Sequence, residues 1–322
     1  MGRNYPSPIM QSTLAEARLA SSTDSVVLLT GETGSGKDYI ARSIHDDSKR
    51  CNGPFVCINC AAIPLELAES ELFGHESGAF TGNNGRKRGQ LRLAEGGTLL
   101  LNEVGELSPP VQAKLLTFLD TGTFIPVGGE KSVSVNTRII AATNRDLEEE
   151  VEAKRFRADL FYRLDVFRIL IPPLRQRRAD IPLLIGEILS KLGADLNIAS
   201  KKVGPKDMES LLSHHWPGNV RELRNVLERA LITSNGTLNL DSFLRRRTDQ
   251  TWRYEVSFPE EDNQCLADVI NDVRRAVLVE SLRRTGGVKQ RTVKMLGISR
   301  HSLYHYMRTY GIDAEKTDTQ SG

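Results

Sequence analysis

Val26-Val27-Leu28-Leu29 runs into Gly31-Glu32-Thr33-Gly34-Ser35-Gly36-Lys37-Asp38, and apolar Ile40, Ala41 and Ile44 follow at helical spacing. A short β-rich run, a glycine loop and a helix in that order are what a phosphate-binding loop requires. Its glycines let backbone N–H groups turn inward on phosphate oxygens, the helix N-terminus adds partial positive charge, and Lys37 reaches the terminal phosphates. Gly-x4-Gly-Lys is a short pattern that also arises by chance, so the rest of the chain has to bear it out. A glycine-rich turn without a ligand is the plain alternative.

Working outward, Gly97-Thr98-Leu99-Leu100-Leu101-Asn102-Glu103 reads as a strand buried on both faces, ending in two polar side chains. Open α/β sheets place their ligands at that carboxyl edge. A second strand-like run, Val135 to Ala142, ends in Thr143-Asn144. Between loop and first strand lies Gly78-Ala79-Phe80-Thr81-Gly82-Asn83, in which two glycines bracket an aromatic and a hydroxyl. That composition suits a moving contact loop better than a helix or strand interior. Beyond Pro172-Pro173 the pattern turns wholly helical: Ile181 to Leu192, Asp207 to His214, a break at Trp216-Pro217-Gly218-Asn219, then Val220 to Thr233. Residues 246–264 are charged and turn-prone, as a linker would be. Leu266 to Leu282 follows as an amphipathic helix closed by Gly286-Gly287. Val288 to Leu296 and Arg300 to Tyr310 are then two helices joined by Gly297-Ile298-Ser299, a helix-turn-helix signature.

Composition bounds these readings. With 322 residues, 39% of them apolar and 26% charged, the chain is globular and long enough for two or three domains. Its net charge of +2 excludes any argument from global basicity, so nucleic-acid binding has to come from a local patch. Four cysteines and no charged-then-apolar leader fit a reducing cytoplasm better than a disulfide scaffold. Cys57-x-x-Cys60 lacks a second pair at finger spacing and lies in an apolar run, which favours buried structural cysteines over a zinc or redox pair. No apolar run approaches the ~18 residues of a membrane span. Met1-Gly2 is no myristoylation signal, because Pro6 stands where Ser or Thr is favoured.

Taken together these segments closely resemble the sigma-54-dependent transcriptional activators, a branch of the AAA+ ATPases, over residues 8–240 and 265–313. Glu71-Leu72-Phe73-Gly74-His75-Glu76-Ser77 and the loop after it are similar to the family's GAFTGA loop, with Asn83 in place of the usual Ala. The resemblance implies that Gly78, Ala79, Phe80, Thr81 and Gly82 contact sigma-54 and that Gly122 to Val135 is the insertion that supports them. It makes Gly31 to Lys37 the Walker A loop. The usual Ser or Thr after the lysine is Asp38, and members of the family commonly carry a carboxylate there. Leu99 to Glu103 looks like Walker B, where the family normally has Asp-Glu. The Asn102 amide can accept a hydrogen bond from a metal-bound water but brings no negative charge, so magnesium affinity and turnover should fall. Glu103 would polarise the attacking water. Asn144 matches sensor I, and Asn59 matches the residue that holds the Walker B glutamate back, or else is a strand-end asparagine satisfying backbone.

Phe156 to Leu164 resembles the arginine-finger segment, with Arg157 and Arg163 acting in trans on a neighbouring protomer's nucleotide. If they do not, they are surface arginines paired with Asp159 and Asp165. Trp216 to Asn225 is similar to the sensor II segment, which makes Arg221 the residue reaching back over the nucleotide. LGISRHSLYHYMRTYGI resembles the Fis-type DNA-binding domain. Arg300, His301, Ser302 and His305 would face base edges, and Lys289, Arg291, Lys294 and Arg308 would meet phosphates.

The expected architecture is therefore α/β. A AAA+ P-loop domain with a parallel sheet (residues 1–172) precedes a helical lid (173–245), a linker (246–264) and an all-α helix-turn-helix domain (265–322). The expected cofactors are ATP and Mg2+, with no other metal and with Asp38 and Asn102 near the ion. Expected partners are sigma-54 RNA polymerase holoenzyme, double-stranded enhancer DNA and further copies of the chain, from dimer to hexameric ring; a membrane is not among them. Family members usually carry an amino-terminal sensory domain, and only some seven residues precede the ATPase here. Either the chain is truncated or a separate regulatory protein controls it. Three function classes stay open: a remodelling ATPase that opens sigma-54 promoters, a nucleotide-gated DNA-binding regulator with little turnover, and another AAA+ machine such as a loader or unfoldase.

Overall fold

The computed structural model describes residues 5–77, 87–198, 203–233, 238, 240, 266–285 and 287–312, with the side chains of residues 266–268 and of Lys294 left aside. Gly78 to Asn83 and the linker 246–264 lie outside these residues. The chain forms two compact units, Met1–Arg247 and Thr248–Gly322.

In the first unit, α1 (Pro8–Ser21), β1 (Val27–Thr30), α2 (Lys37–Asp46), β2 (Phe55–Asn59) and α3 (Leu65–Phe73) lead to two short strands, β3 (Gly74–His75) and β4 (Lys87–Arg88). After α4 (Gln90–Leu93) come β5 (Thr98–Asn102), α5 (Pro109–Thr121), β6 (Thr123–Phe124), β7 (Val133–Ser134) and β8 (Arg138–Thr143). The chain continues through α6 (Leu147–Glu152), α7 (Ala158–Leu164) and β9 (Phe167–Leu170) to three helices, α8 (Ile181–Leu196), α9 (Pro205–Ser213) and α10 (Asn219–Thr233). Five strands make one sheet in the order β2-β5-β8-β1-β9, every pair parallel.

Both faces of this sheet are covered, which is why its central strands read as unbroken apolar runs. Val27, Leu29 and Leu100 point into one cluster with α1 and α2, while Leu28, Leu99 and Leu101 point into a second with α5 and α7. Because all five strands are parallel, their carboxyl ends share one edge. The register sets Thr30 beside Thr143, Asn102 beside Ala142 and Asn59 beside Asn102. The loop after β1 and the polar pair ending β5 are thus neighbours by topology alone. β8 begins at Arg138 rather than at Val135, since Val135 to Thr137 is the crossing from the β6–β7 hairpin, with Val135 N–H bonded to Gly122 O.

Helices α8 to α10 extend the first cluster: Leu184, Leu223 and Leu227 share it with Leu29 and Leu100. Trp216 is fully buried there, and its indole Nε1 donates to Leu211 O at 2.8 Å. α8 outlasts its apolar pattern and stops at Asn197, whose φ of 54° makes the left-handed cap that Gly or Asn favours.

Antiparallel β3 and β4 form the two arms that flank residues 78–86. The β6–β7 hairpin docks on them, with Val127 N–H bonded to Gly74 O at 2.9 Å and Glu76 N–H to Val127 O at 3.0 Å. The stretch from Gly122 to Val135 is thus hydrogen-bonded to the base of those arms.

The second unit holds α11 (Leu266–Arg284), α12 (Lys289–Leu296) and α13 (Arg300–Thr309) around Leu278, Leu282, Leu303 and Met307. Gly297, at φ 64°, makes the turn, and Ser299 caps α13 by accepting the Ser302 N–H at 3.0 Å. Among the described residues no helix is long and apolar enough to cross a membrane.

Candidate functional site

The phosphate loop is built by backbone geometry. Gly31, Gly34 and Gly36 adopt φ values of 152°, 75° and 107°. At Gly34 a Cβ would lie 2.5 Å from Gly218 O and 2.9 Å from the Arg221 Cβ, so only glycine fits where loop and lid meet. The lid is hydrogen-bonded to the same place. Val220 N–H donates to Gly34 O at 3.0 Å, and Asn219 Nδ2 donates to Thr33 O at 3.1 Å and Glu32 Oε2 at 3.0 Å. Arg175 clasps Glu32 with two bonds of 2.6 and 2.8 Å, and with Asn219 it brings the Glu32 carboxyl down to about 2. Buried Arg177 donates to Ser35 O from beneath.

Lys37 is almost fully buried. Its Nζ donates to Gly31 O at 2.8 Å and lies 3.8 Å from Glu103 Oε1, and burial lowers its pKa. Glu103 itself sits at φ 54°, ψ 50°, an unfavourable conformation for its type that costs of order 1–3 kcal/mol and marks functional positions. Trp216 and Asn219 share this left-handed region at φ 51° and 52°. The second Glu103 oxygen accepts the Asn144 N–H at 3.2 Å, and Asn144 Nδ2 reaches Thr33 Oγ1 at 2.8 Å. Loop, β5 end and β8 end are therefore joined by a single hydrogen-bonded network.

Asn102 Nδ2 donates to Asp38 Oδ1 at 2.7 Å, whereas Asn102 Oδ1 is buried and has no hydrogen-bond partner. Carbonyl and carboxylate oxygens are the donors that Mg2+ or its water shell takes, so Asp38 and Asn102 fit that ion. The cleft has a volume of about 350 Å³. Thr33, Gly34, Gly36, Lys37, Asp38, Asn102 and Glu103 line it from the sheet edge, and Leu184, Glu187, Ile188, Lys191, Leu192, Val220, Arg221 and Arg224 from the helices that follow. Apolar lid side chains, with Arg221 beside Gly34, suit a nucleotide, base against the lid and phosphates on the glycines.

Other residues singled out from the sequence stand apart from this cleft's network. The Asn59 side-chain oxygen accepts the Ala61 N–H at 3.1 Å, which is the backbone-satisfying contact of the plain alternative, although β2 sets its Cα beside Asn102. Arg157 is held by Asp159 through bonds of 2.7 and 3.0 Å. Arg163 pairs with Asp120 at 3.0 Å and donates to Leu119 O at 2.8 Å, not with Asp165, because Asp165 is occupied by Arg168. Both arginines are about half exposed. Buried Gln112 of α5, which nothing in the sequence pointed to, accepts the Arg157 N–H at 3.0 Å and donates to Leu107 O and Arg155 O. It ties the segment before α7 to the helix that follows Glu103. The cysteines divide: Cys60 is buried, its thiol pushed up to about 12 by desolvation, but Cys57 is exposed on the edge strand β2.

In the second unit Arg300, His301, His305 and Arg308 of α13 and Arg291 of α12 are exposed, while Lys289 lies over the Tyr304 ring at 5.2 Å. Ser302 is partly covered, its hydroxyl 2.8 Å from Ser299 Oγ in the cap.

The chain matches the sigma-54 interaction domain over residues 4–170, the AAA+ ATPase lid domain over residues 175–251 and the bacterial regulatory protein, Fis family, over residues 270–310. Regulatory protein AtoC of Escherichia coli (strain K12) is 42% identical over 95% of this chain and 67% of that protein. A Nif-specific regulatory protein of Azotobacter vinelandii is 44% identical over 96% of this chain and 59% of its own length. Among solved structures, NtrX from Brucella abortus superposes with a TM-score of 0.70 at 33% identity, over 96% of this chain and 69% of that one. NtrX has also been solved with ATP and with ADP. The chain spans about half to two thirds of the length of the curated relatives it matches.

Proposed function

The chain belongs to the family of sigma-54-dependent transcriptional activators, with its AAA+ ATPase and Fis-type DNA-binding domains, and on that premise we propose that it hydrolyses ATP to remodel sigma-54 RNA polymerase and open promoters from upstream enhancer DNA. The observation that carries this reading is the seat of Glu103: a strained carboxylate held between Lys37 and the Asn144 N–H, at the mouth of a cleft lined by the glycine loop. A carboxylate so placed can orient and polarise a water beside a terminal phosphate, while Lys37 and the loop N–H groups hold the phosphates. Bound Mg2+ would neutralise charge on the β- and γ-oxygens, with Asp38 and Asn102 as the side chains that hold it. Asn144, bonded to both Glu103 and Thr33, is suited to register whether the γ-phosphate is present. Arg221 and the lid would close over it.

Arg157 and Arg163 lie away from their own chain's cleft network, so their proposed action is on a neighbour's nucleotide within a ring, up to a hexamer. Phe80 and Thr81, in the stretch of chain between β3 and β4, are the proposed contact with sigma-54. Arg300, His301, Ser302 and His305 are proposed to read bases, and Lys289, Arg291, Lys294 and Arg308 to hold phosphates.

ATPase rate per protomer against protein concentration tests the catalytic part. It should climb as copies assemble, and Arg157→Ala should reduce it by about 10³-fold or more, the scale of an arginine finger. A rate per protomer that is flat and equal to a Lys37→Ala control would contradict it. That outcome would favour a second reading, to which Asn102 points: a nucleotide-gated DNA-binding regulator with little turnover, in which Asn102→Asp restores hydrolysis.

A further inference from the structure

His214 caps the end of α9, and its side chain closes the turn that follows. Trp216 N–H donates to His214 Nδ1 at 3.1 Å, and the imidazole stands T-shaped to the buried indole with ring centroids 4.6 Å apart. A backbone N–H can only donate, so Nδ1 carries a lone pair and the ring is neutral. An imidazolium bears a proton on both nitrogens and has no acceptor to offer. One proton therefore removes the bond.

The turn holds more than itself. Trp216 at φ 51° and Asn219 at φ 52° keep left-handed conformations that persist only where their surroundings fix them. Asn219 N–H donates to Trp216 O at 2.8 Å, and Gly218 N–H donates to Glu222 Oε2 at 2.7 Å. The next bonds leave the lid: Asn219 Nδ2 reaches Glu32 Oε2 and Thr33 O, and Val220 N–H reaches Gly34 O. The bond that His214 accepts thus belongs to the same turn as the bonds by which the lid grips the phosphate loop.

Burial pushes the His214 pKa below the ordinary histidine value; Glu222 of α10 opposes this and His215 adds to it. A depressed pKa means that the closed turn is most stable with the ring neutral. Its contribution is complete above about pH 6.5, the ordinary histidine value, and is lost as pH falls below it. A protonated ring would also compete with Gly218 N–H for Glu222, the other side chain that closes the turn.

We propose that His214 is a proton-operated latch: with the ring neutral the turn holds the lid on the phosphate loop, and with the ring protonated that hold loosens and nucleotide is bound more weakly. The latch rests on the nucleotide-binding part of the proposed function and gives that cleft a response to acid.

Equilibrium ADP binding to the full chain is measured at about pH 7.5 and about pH 5.5, on either side of the histidine range, for wild type, His214→Asn and His214→Leu. An asparagine oxygen can accept the N–H two residues on, as in an Asx turn, and it does not titrate; leucine accepts nothing. Protonation of ADP and of the other groups in the cleft is common to all three chains and cancels in the comparison. Wild type should lose about tenfold more affinity than His214→Asn over this range, the scale of one buried hydrogen bond, and His214→Leu should already be about tenfold weak at the higher pH. Proton and nucleotide must act on each other reciprocally, which supplies a second measurement on wild type alone. The His214 ring, followed by NMR and identified by the signal lost in His214→Asn, should titrate about one pH unit lower with ADP bound than without. Equal losses in wild type and His214→Asn, or one titration midpoint with and without ADP, overturn the latch and leave the ATPase reading in place. A wild-type chain that binds no ADP at the higher pH overturns both.

Discussion

Gly34 joins two parts of the site in one residue. Its φ of 75° is left-handed, and any Cβ would strike Gly218 O and the Arg221 Cβ of the lid. Gly34→Ala should therefore part loop from lid and weaken ATP binding by at least about tenfold, since several charge-assisted bonds of about 1.5–3 kcal/mol each converge there. Equilibrium binding of a fluorescent ATP analogue measures it, with circular dichroism to show that the sheet is intact. At this scale the sequence was informative where chemistry is local. Lys37, Asp38, Asn102 and Glu103 declare themselves by following glycines or ending an apolar run. Their partners do not. Arg175 meets Glu32 across 143 residues, and Asn219 meets it across 187. No periodicity encodes such distances, and an arginine or asparagine two residues after a proline looks like any other. Gln112 was illegible for the same reason, being one polar residue on a helix, recognisable only once its burial is known.

Among elements, the three central parallel strands β1, β5 and β8 could be read closely because burial on both faces forces continuous Val, Leu and Ile, whereas the partly exposed edge strands β2 and β9 carry no such run. Ends were less legible. Arg138 opens β8 although a basic residue is a poor strand signal; it is buried and donates to Ala20 O at 2.7 Å. α1 was not singled out at all, for its buried face includes Thr13 and its place depends on packing against α2 and β9. The lid break at Trp216 was plain, but its energetic role comes from the structure: a fully buried ring, an indole bond to Leu211 O, and a backbone at φ 51° held by its surroundings. Trp216→Ala should destabilise the unit Met1–Arg247 by about 3–5 kcal/mol, the cost of emptying a large buried side chain. Urea titration should register this as an earlier unfolding midpoint with an unchanged slope. A shift below 1 kcal/mol would mean that the lid is not part of the same cooperative core.

At the scale of the whole molecule, one chain carries an ATPase unit and a helix-turn-helix unit, and the proposed mechanical output is the loop between the arms β3 and β4. α3 leads into β3, and the β6–β7 hairpin fastens Gly74 and Glu76 through Val127. Spacing alone could not supply that link, because it depends on which loop the hairpin packs against. It could supply the loop's composition, and Phe80 and Thr81 are where the claim is most exposed to test. The direct measurement is promoter opening on a sigma-54 holoenzyme closed complex, read by single-strand-specific footprinting with ATP, for the wild-type chain and for Phe80→Ala and Thr81→Ala, with ATPase rates recorded in parallel. Wild type should open the promoter only when ATP is hydrolysed, and the two variants should keep hydrolysing while opening is lost. Variants that open the promoter as wild type does, or a wild-type chain that never opens it while consuming ATP, would contradict the account.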